Sequence, residues 1–171
     1  MGGFQLWVNL PHAHKMMTPR YQEIKSHQIP VTKTDANVSV RVICGTFNGV
    51  TGPVRNIIAD PQFLDVTLGP DTVFSCPVIR GHTAVAYIIS GEGTFDTSEG
   101  HRMRNRDVIL FGDGSFIEGR SSDAGLRFLF ISGKPIGEPV AWRGPIVMNT
   151  REELRLAFQE YQDGTFIKAE A

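Results

Sequence analysis

Residues 38–44, "VSVRVIC", alternate apolar and polar side chains so strictly that Val38, Val40, Val42 and Cys44 fall on one side of an extended chain. A period of two excludes a helix here, and the pattern recurs. "FLDVTLGPD" puts Leu64, Val66 and Leu68 on one face and ends in a Gly-Pro-Asp turn. "TAVAYIISGEGTF" reads as a strand that turns at Gly91-Glu92-Gly93. "RDVILFGDGSFIEG" reads as another, interrupted at Gly112-Asp113-Gly114, and "LRFLFISGKP" follows. Short strands with turn residues every ~8–12 positions argue for an all-β, antiparallel sandwich or barrel.

One stretch breaks the pattern. "MNTREELRLAFQEYQDGTF" predicts a C-terminal α-helix over 150–163. Thr150 can cap it, and Glu153 completes a capping box. Leu154, Phe158 and Tyr161 recur at helical spacing, and Asp163-Gly164 supplies the stop. The expectation is an amphipathic flank packed on the barrel. With no internal repeat or linker, residues 1–171 read as a single domain, and residues 1–30 as an N-terminal strand and extended arm.

Composition narrows the function classes. A net charge of −1 gives no electrostatic case for nucleic acid or a membrane surface. No apolar run reaches the ~18–20 residues that span a bilayer. "MGGFQLWVNLP" lacks the basic start and long apolar core of a signal peptide, so the cytoplasm is the expected location. Cys44 and Cys76 sit in strand-like runs and read as buried thiols. Ser115 in "GDGS" lacks the Gly-x-Ser-x-Gly of a nucleophile elbow, and no dinucleotide-binding glycine loop follows a strand. Glu92, Asp96 and Glu99 read as a solvated tip. Arg102, Arg104 and Arg106 read as a solvated strand face.

"GHTAVAYIISGEGTF" and "RDVILFGDGSFIEG" resemble the two core motifs of a cupin barrel (double-stranded β-helix, or jelly roll). Tyr87 to Gly93 match the hairpin that ends the first, and Asp107 to Gly114 match the second, with Arg106 in place of its usual Gly. "QLWVNLP", "PRYQ", "SGKPIGEPVAWRGPIVMNTREE" and "YQDGTF", in that order toward the two ends of the chain, resemble the pirin family. The resemblance implies a bicupin whose N-terminal barrel holds one iron through three histidines and a glutamate, and whose C-terminal barrel holds none. It also implies a quercetin 2,3-dioxygenase-type activity in some members, whereas others are nuclear proteins that bind transcription regulators, so a nuclear location is the alternative if the source is eukaryotic. The "HPHRG"-type motif of the first barrel has no match here, so the chain resembles the C-terminal half, whether a natural half-pirin or an excised piece.

A cupin metal site takes two histidines and a glutamate from the first motif and a histidine from the second. These positions share strand parity, so they face the barrel interior together. Counting from the motifs as the resemblance sets them places the four slots at Val78, Arg80, Ala84 and Ile117. None is a ligand, so no cofactor is expected, iron being the alternative. His82 shares their parity and reads as a core histidine. Arg80 in an inward slot, with Tyr87 beside the motif, makes the candidate ligand-binding pair. A small molecule there is expected to be anionic. His12 and His14 in "LPHAH" read as loop histidines, with a metal pair as the weaker alternative.

The resulting expectation is a metal-free, non-catalytic module that acts through a protein partner or a small molecule. The alternative is a pirin-like dioxygenase with a site assembled across subunits. The expected partner is a second copy, or a separate chain resembling the pirin N-terminal cupin. Phe4, Leu6, Val8 and Leu10 on one face of an N-terminal strand, with Trp7 on the other, motivate that partner.

Overall fold

The computed structural model describes residues 3–95 and 100–168. They form two compact units: residues 23–135, and residues 3–22 together with 136–168. Asp96 and Glu99 of the expected acidic tip lie outside the described residues.

The larger unit is a β-structure of ten antiparallel strands. These are β1 (Val31–Asp35), β2 (Val38–Cys44), β3 (Thr46–Phe47), β4 (Val50–Thr51), β5 (Gln62–Leu68), β6 (Val73–Pro77), β7 (Thr83–Phe95), β8 (Met103–Arg104), β9 (Val108–Leu110) and β10 (Phe116–Gly133). The main sheet runs β1-β2-β5-β10-β7-β8, with β6 on β10 and β9 on β7; β3 and β4 form a separate hairpin. Strand β10 joins the parts. Its first half pairs with β6, its second half with β5, and both halves pair with β7. The register shift between Ser121 and Leu126 marks where it changes partner, and such irregularities bend a strand. At this bend the buried Ser121 accepts from Thr72 N at 2.9 Å and donates to Gly69 O at 2.6 Å, so the turn's backbone is satisfied.

The alternation in β2 and β5 buries the expected side chains. Val40, Val42, Leu64 and Val66 lose all contact with solvent, and Val38, Cys44 and Leu68 nearly all. Facing them are Ala84, Ala86 and Ile88 of β7 and Phe128 and Phe130 of β10. Edge-on aromatic contacts knit this core: Phe95 meets Phe128 at 5.1 Å and Phe74 meets Phe128 at 5.8 Å. On the other face of the sheet, Arg127 grips Asp65 with two hydrogen bonds of 3.0 and 2.8 Å.

Two sequence expectations need correction here. Gly91-Glu92-Gly93 is not a turn, because β7 runs through it without a break. The glycines are needed for close approach: a Cβ at Gly91 would meet Gly125 O at 2.1 Å, and one at Gly93 would meet Arg120 O at 2.4 Å. The "LRFLFISGKP" segment is likewise the second half of β10 rather than a new strand.

The smaller unit draws on both ends of the chain. It contains a hairpin, β11 (Ala141–Arg143) and β12 (Ile146–Met148), and one helix, α1 (Arg151–Gln162). The helix starts as read from sequence. Thr150 Oγ1 accepts from Glu153 N at 3.2 Å, and Glu153 Oε2 accepts from Thr150 N at 3.0 Å. Gly164, at φ +71°, lies just beyond the C-cap Asp163. The apolar face of the helix covers the hairpin of its own unit: Ile146, Met148 and Ala157 are buried, with Leu154, Phe158 and Phe166 packed around them. Tyr161 is left exposed. No strand forms at residues 3–11, so the expected N-terminal strand is absent. Phe4, Leu6, Trp7 and Val8 are exposed on an extended segment.

Candidate functional site

Two loops of the larger unit frame a cavity of ≈ 340 Å³. One, residues 78–82, joins β6 to β7; the other, residues 111–115, joins β9 to β10. Backbone chemistry ties them together. Val78 N donates to Ser115 O at 2.9 Å, and Gly81 N donates to Asp113 Oδ1 at 2.8 Å. Gly81 turns the first loop at φ +79°.

Val78, Arg80, Ala84 and Ile117 all line this cavity, and His82 lines it with them. Ala84 and Ile117 are buried at its floor, Val78 and His82 are partly buried, and Arg80 is exposed. The arginine therefore sits at the rim, where water solvates its guanidinium, and the expectation of an interior arginine is corrected. Tyr87 is not among the lining residues. Ala84, Ala86 and Ile88 point to the core, so Tyr87, of opposite parity on β7, points to the other face of the sheet. Sequence reasoning passed over Phe111, which lines the wall, and Asp113, which holds the loops together. Both lay in the segment read only as an interrupted strand.

The donor set does not fit the ion that the fold family implies. Three of the four slots carry hydrocarbon side chains, and the guanidinium of Arg80 has no lone pair to give and a positive charge to repel a cation. His82 brings one imidazole. No group of three or more histidine, cysteine or acidic side chains with metal-binding geometry occurs among the described residues.

His12 and His14 lie in the smaller unit, within a 3-10 turn. Residues two apart in such a turn are rotated by roughly 240°, so the pair does not share a face. His12 Nδ1 lies 3.4 Å from Glu153 Oε1 on α1, and His12 N donates to Glu138 Oε2 at 2.7 Å. His14 Nδ1 is buried without a partner among the described residues. Asn149 completes the cluster, donating its side-chain amide to Glu138 at 2.8 Å and its backbone N–H to Glu153 at 2.9 Å. The bond from His12 N–H holds the Glu138 carboxyl below the usual carboxylate range, and that from Asn149 N–H does the same for Glu153. Desolvation lowers the pKa of Lys15, which donates to Asn9 Oδ1 at 2.8 Å. No local spacing in the sequence joins His12 to acids more than 120 residues away.

Strand pairing, glycine contacts and the loop-framed cavity together define a cupin-type β-barrel. A model of the pirin C-terminal cupin domain matches residues 63–167. The chain belongs to the pirin family. It is 41% identical over 164 residues to Pirin-1 of Arabidopsis thaliana, covering 94% of this chain and 56% of that protein. It is 40% identical over 173 residues to a pirin-like protein of Caulobacter vibrioides, covering 97% of this chain and 59% of that one. A crystal structure of quercetin 2,3-dioxygenase from Acinetobacter baumannii superposes with a TM-score of 0.83 at 28% identity, over 94% of this chain and 55% of that one. The chain thus spans less than two thirds of the length of these curated relatives.

Proposed function

We propose that this chain is a metal-free, non-catalytic pirin-like cupin module that acts by binding, through the cavity between its two loops and through a protein partner. One observation carries the reading: the four positions where a cupin places its metal ligands line a single cavity, and Val78, Arg80, Ala84 and Ile117 fill them. The partner is a second copy or a separate chain of the pirin N-terminal cupin type, taken up on the apolar surface around Trp7 and Trp142, which are 68% and 71% exposed. No described helix is long and apolar enough to cross a membrane. Two free, buried cysteines, Cys44 and Cys76, support a reducing compartment such as the cytoplasm.

The experiment is oxygen consumption with quercetin and added ferrous iron. The rate is expected to match a protein-free blank, because that chemistry needs a metal that can bind both substrate and oxygen. Turnover that persists through repurification and vanishes with a chelator would overturn the reading. It would favour the second one, a dioxygenase whose site is completed by another subunit. The observation behind that second reading is the name carried by the Acinetobacter baumannii neighbour.

A further inference from the structure

From the rim and floor of the barrel cavity we infer a binding site for a small apolar monocarboxylate, with the carboxylate on Arg80 and His82 and the hydrocarbon body on Val78, Ala84, Phe111 and Ile117. The inference rests on the metal-free reading above, since a bound cation would itself capture a carboxylate.

The floor supplies the apolar part. Ala84 and Ile117 are buried, and Phe111 packs edge-on against Phe95 and Phe130 at 5.8 and 6.5 Å, so this wall is fixed by the core behind it. The rim supplies the polar part. Neither the Arg80 guanidinium nor the His82 imidazole has a hydrogen-bond or ion-pair partner among the described residues, although both line the cavity. Arginine presents a planar fork of donors matched to a carboxylate. The bonds from Val78 to Ser115 and from Gly81 to Asp113 hold the loop on both sides of Arg80, so its backbone is in place before a ligand arrives.

The same rim limits the charge. Asp113 and Glu118 also line the cavity. Asp113 keeps one oxygen on Gly81 N, and its negative charge stays close to the arginine. Two acids against one arginine leave the lining net negative, so direct contact with the guanidinium has to carry a carboxylate, and a second negative charge meets still more repulsion. A phosphate dianion or a dicarboxylate is disfavoured on this ground.

Isothermal titration with benzoate tests the site, with benzyl alcohol, phthalate and phenyl phosphate as comparison probes. Benzoate is expected to bind saturably, and the other three about tenfold more weakly, the worth of a charge-assisted hydrogen bond. Arg80→Met is expected to weaken benzoate by about the same factor, and His82→Gln by less. Because Arg80 has no partner to lose, its variant should keep the thermal midpoint of the parent. Absence of benzoate binding, equal binding of benzyl alcohol, or benzoate binding unchanged in Arg80→Met would overturn the proposal. Metal content separates the two readings. Arginine-dependent benzoate binding by a protein carrying about one metal per chain would overturn the metal-free reading alone, whereas a metal-free protein that ignores benzoate would overturn this site alone.

Discussion

Gly91 shows how one residue can satisfy two different structural demands. Its place in "SGEGTF" reads as a hairpin, because turns favour glycine at positive φ. In the fold it sits at φ +74° inside a continuous strand, where β10 approaches to within a carbon's width. Both situations select glycine, so composition cannot tell them apart. Gly91→Ala is expected to destabilise the barrel by about 3 kcal/mol or more, since strained φ and a backbone clash add. Denaturant unfolding of the variant measures it, and a loss under about 1 kcal/mol would return the segment to a flexible turn. Tyr87 teaches the reverse lesson. Its odd parity against Ala84 was legible in the sequence and already separated it from the cavity face.

Among the elements, those whose own residues decide their state were legible. Strands β2 and β5 declare themselves through alternation, and α1 through its capping box. The segment at residues 3–11 alternates just as clearly but finds no ladder partner among the described residues, and a strand exists only where its backbone is paired. The clasp of His12 on Glu138 and Glu153 was illegible because it depends on tertiary placement. It also gives the smaller unit a pH dependence. Both carboxyls have folded pKa values below their ordinary 4.5, so their contribution is complete above that value and lost as the pH falls through the lowered ones. Acid titration followed by tryptophan fluorescence should show Trp7 and Trp142 reporting a loosening below about pH 4.5. In Glu138→Gln and Glu153→Gln that acid-dependent step should shrink, and a profile identical to the parent would show that the clasp contributes nothing. Thr150→Ala should cost about 1 kcal/mol at neutral pH through the cap alone.

For the whole molecule, the two units differ sharply in how well they bury apolar surface. Among the described residues, the barrel unit encloses seventeen apolar side chains in one core, whereas the smaller unit buries three and leaves Trp7, Val140, Trp142 and Tyr161 exposed around a groove of ≈ 760 Å³. Such a surface favours association. Light scattering coupled to size exclusion is expected to give about twice the 18.9 kDa chain mass at micromolar protein. Trp7→Ala is expected to shift it toward the monomer; monomer mass at every concentration, or a dimer untouched by Trp7→Ala, would count against this surface. In the barrel, Val78, Ala84 and Ile117 line the cavity with hydrocarbon and Arg80 stands at its rim, the basis of the metal-free proposal. Elemental analysis of the dialysed protein, before and after incubation with ferrous and manganous ions, tests it most directly. Well under one equivalent of any transition metal per chain is expected in both samples; about one equivalent, lost in His82→Ala, would contradict a metal-free barrel.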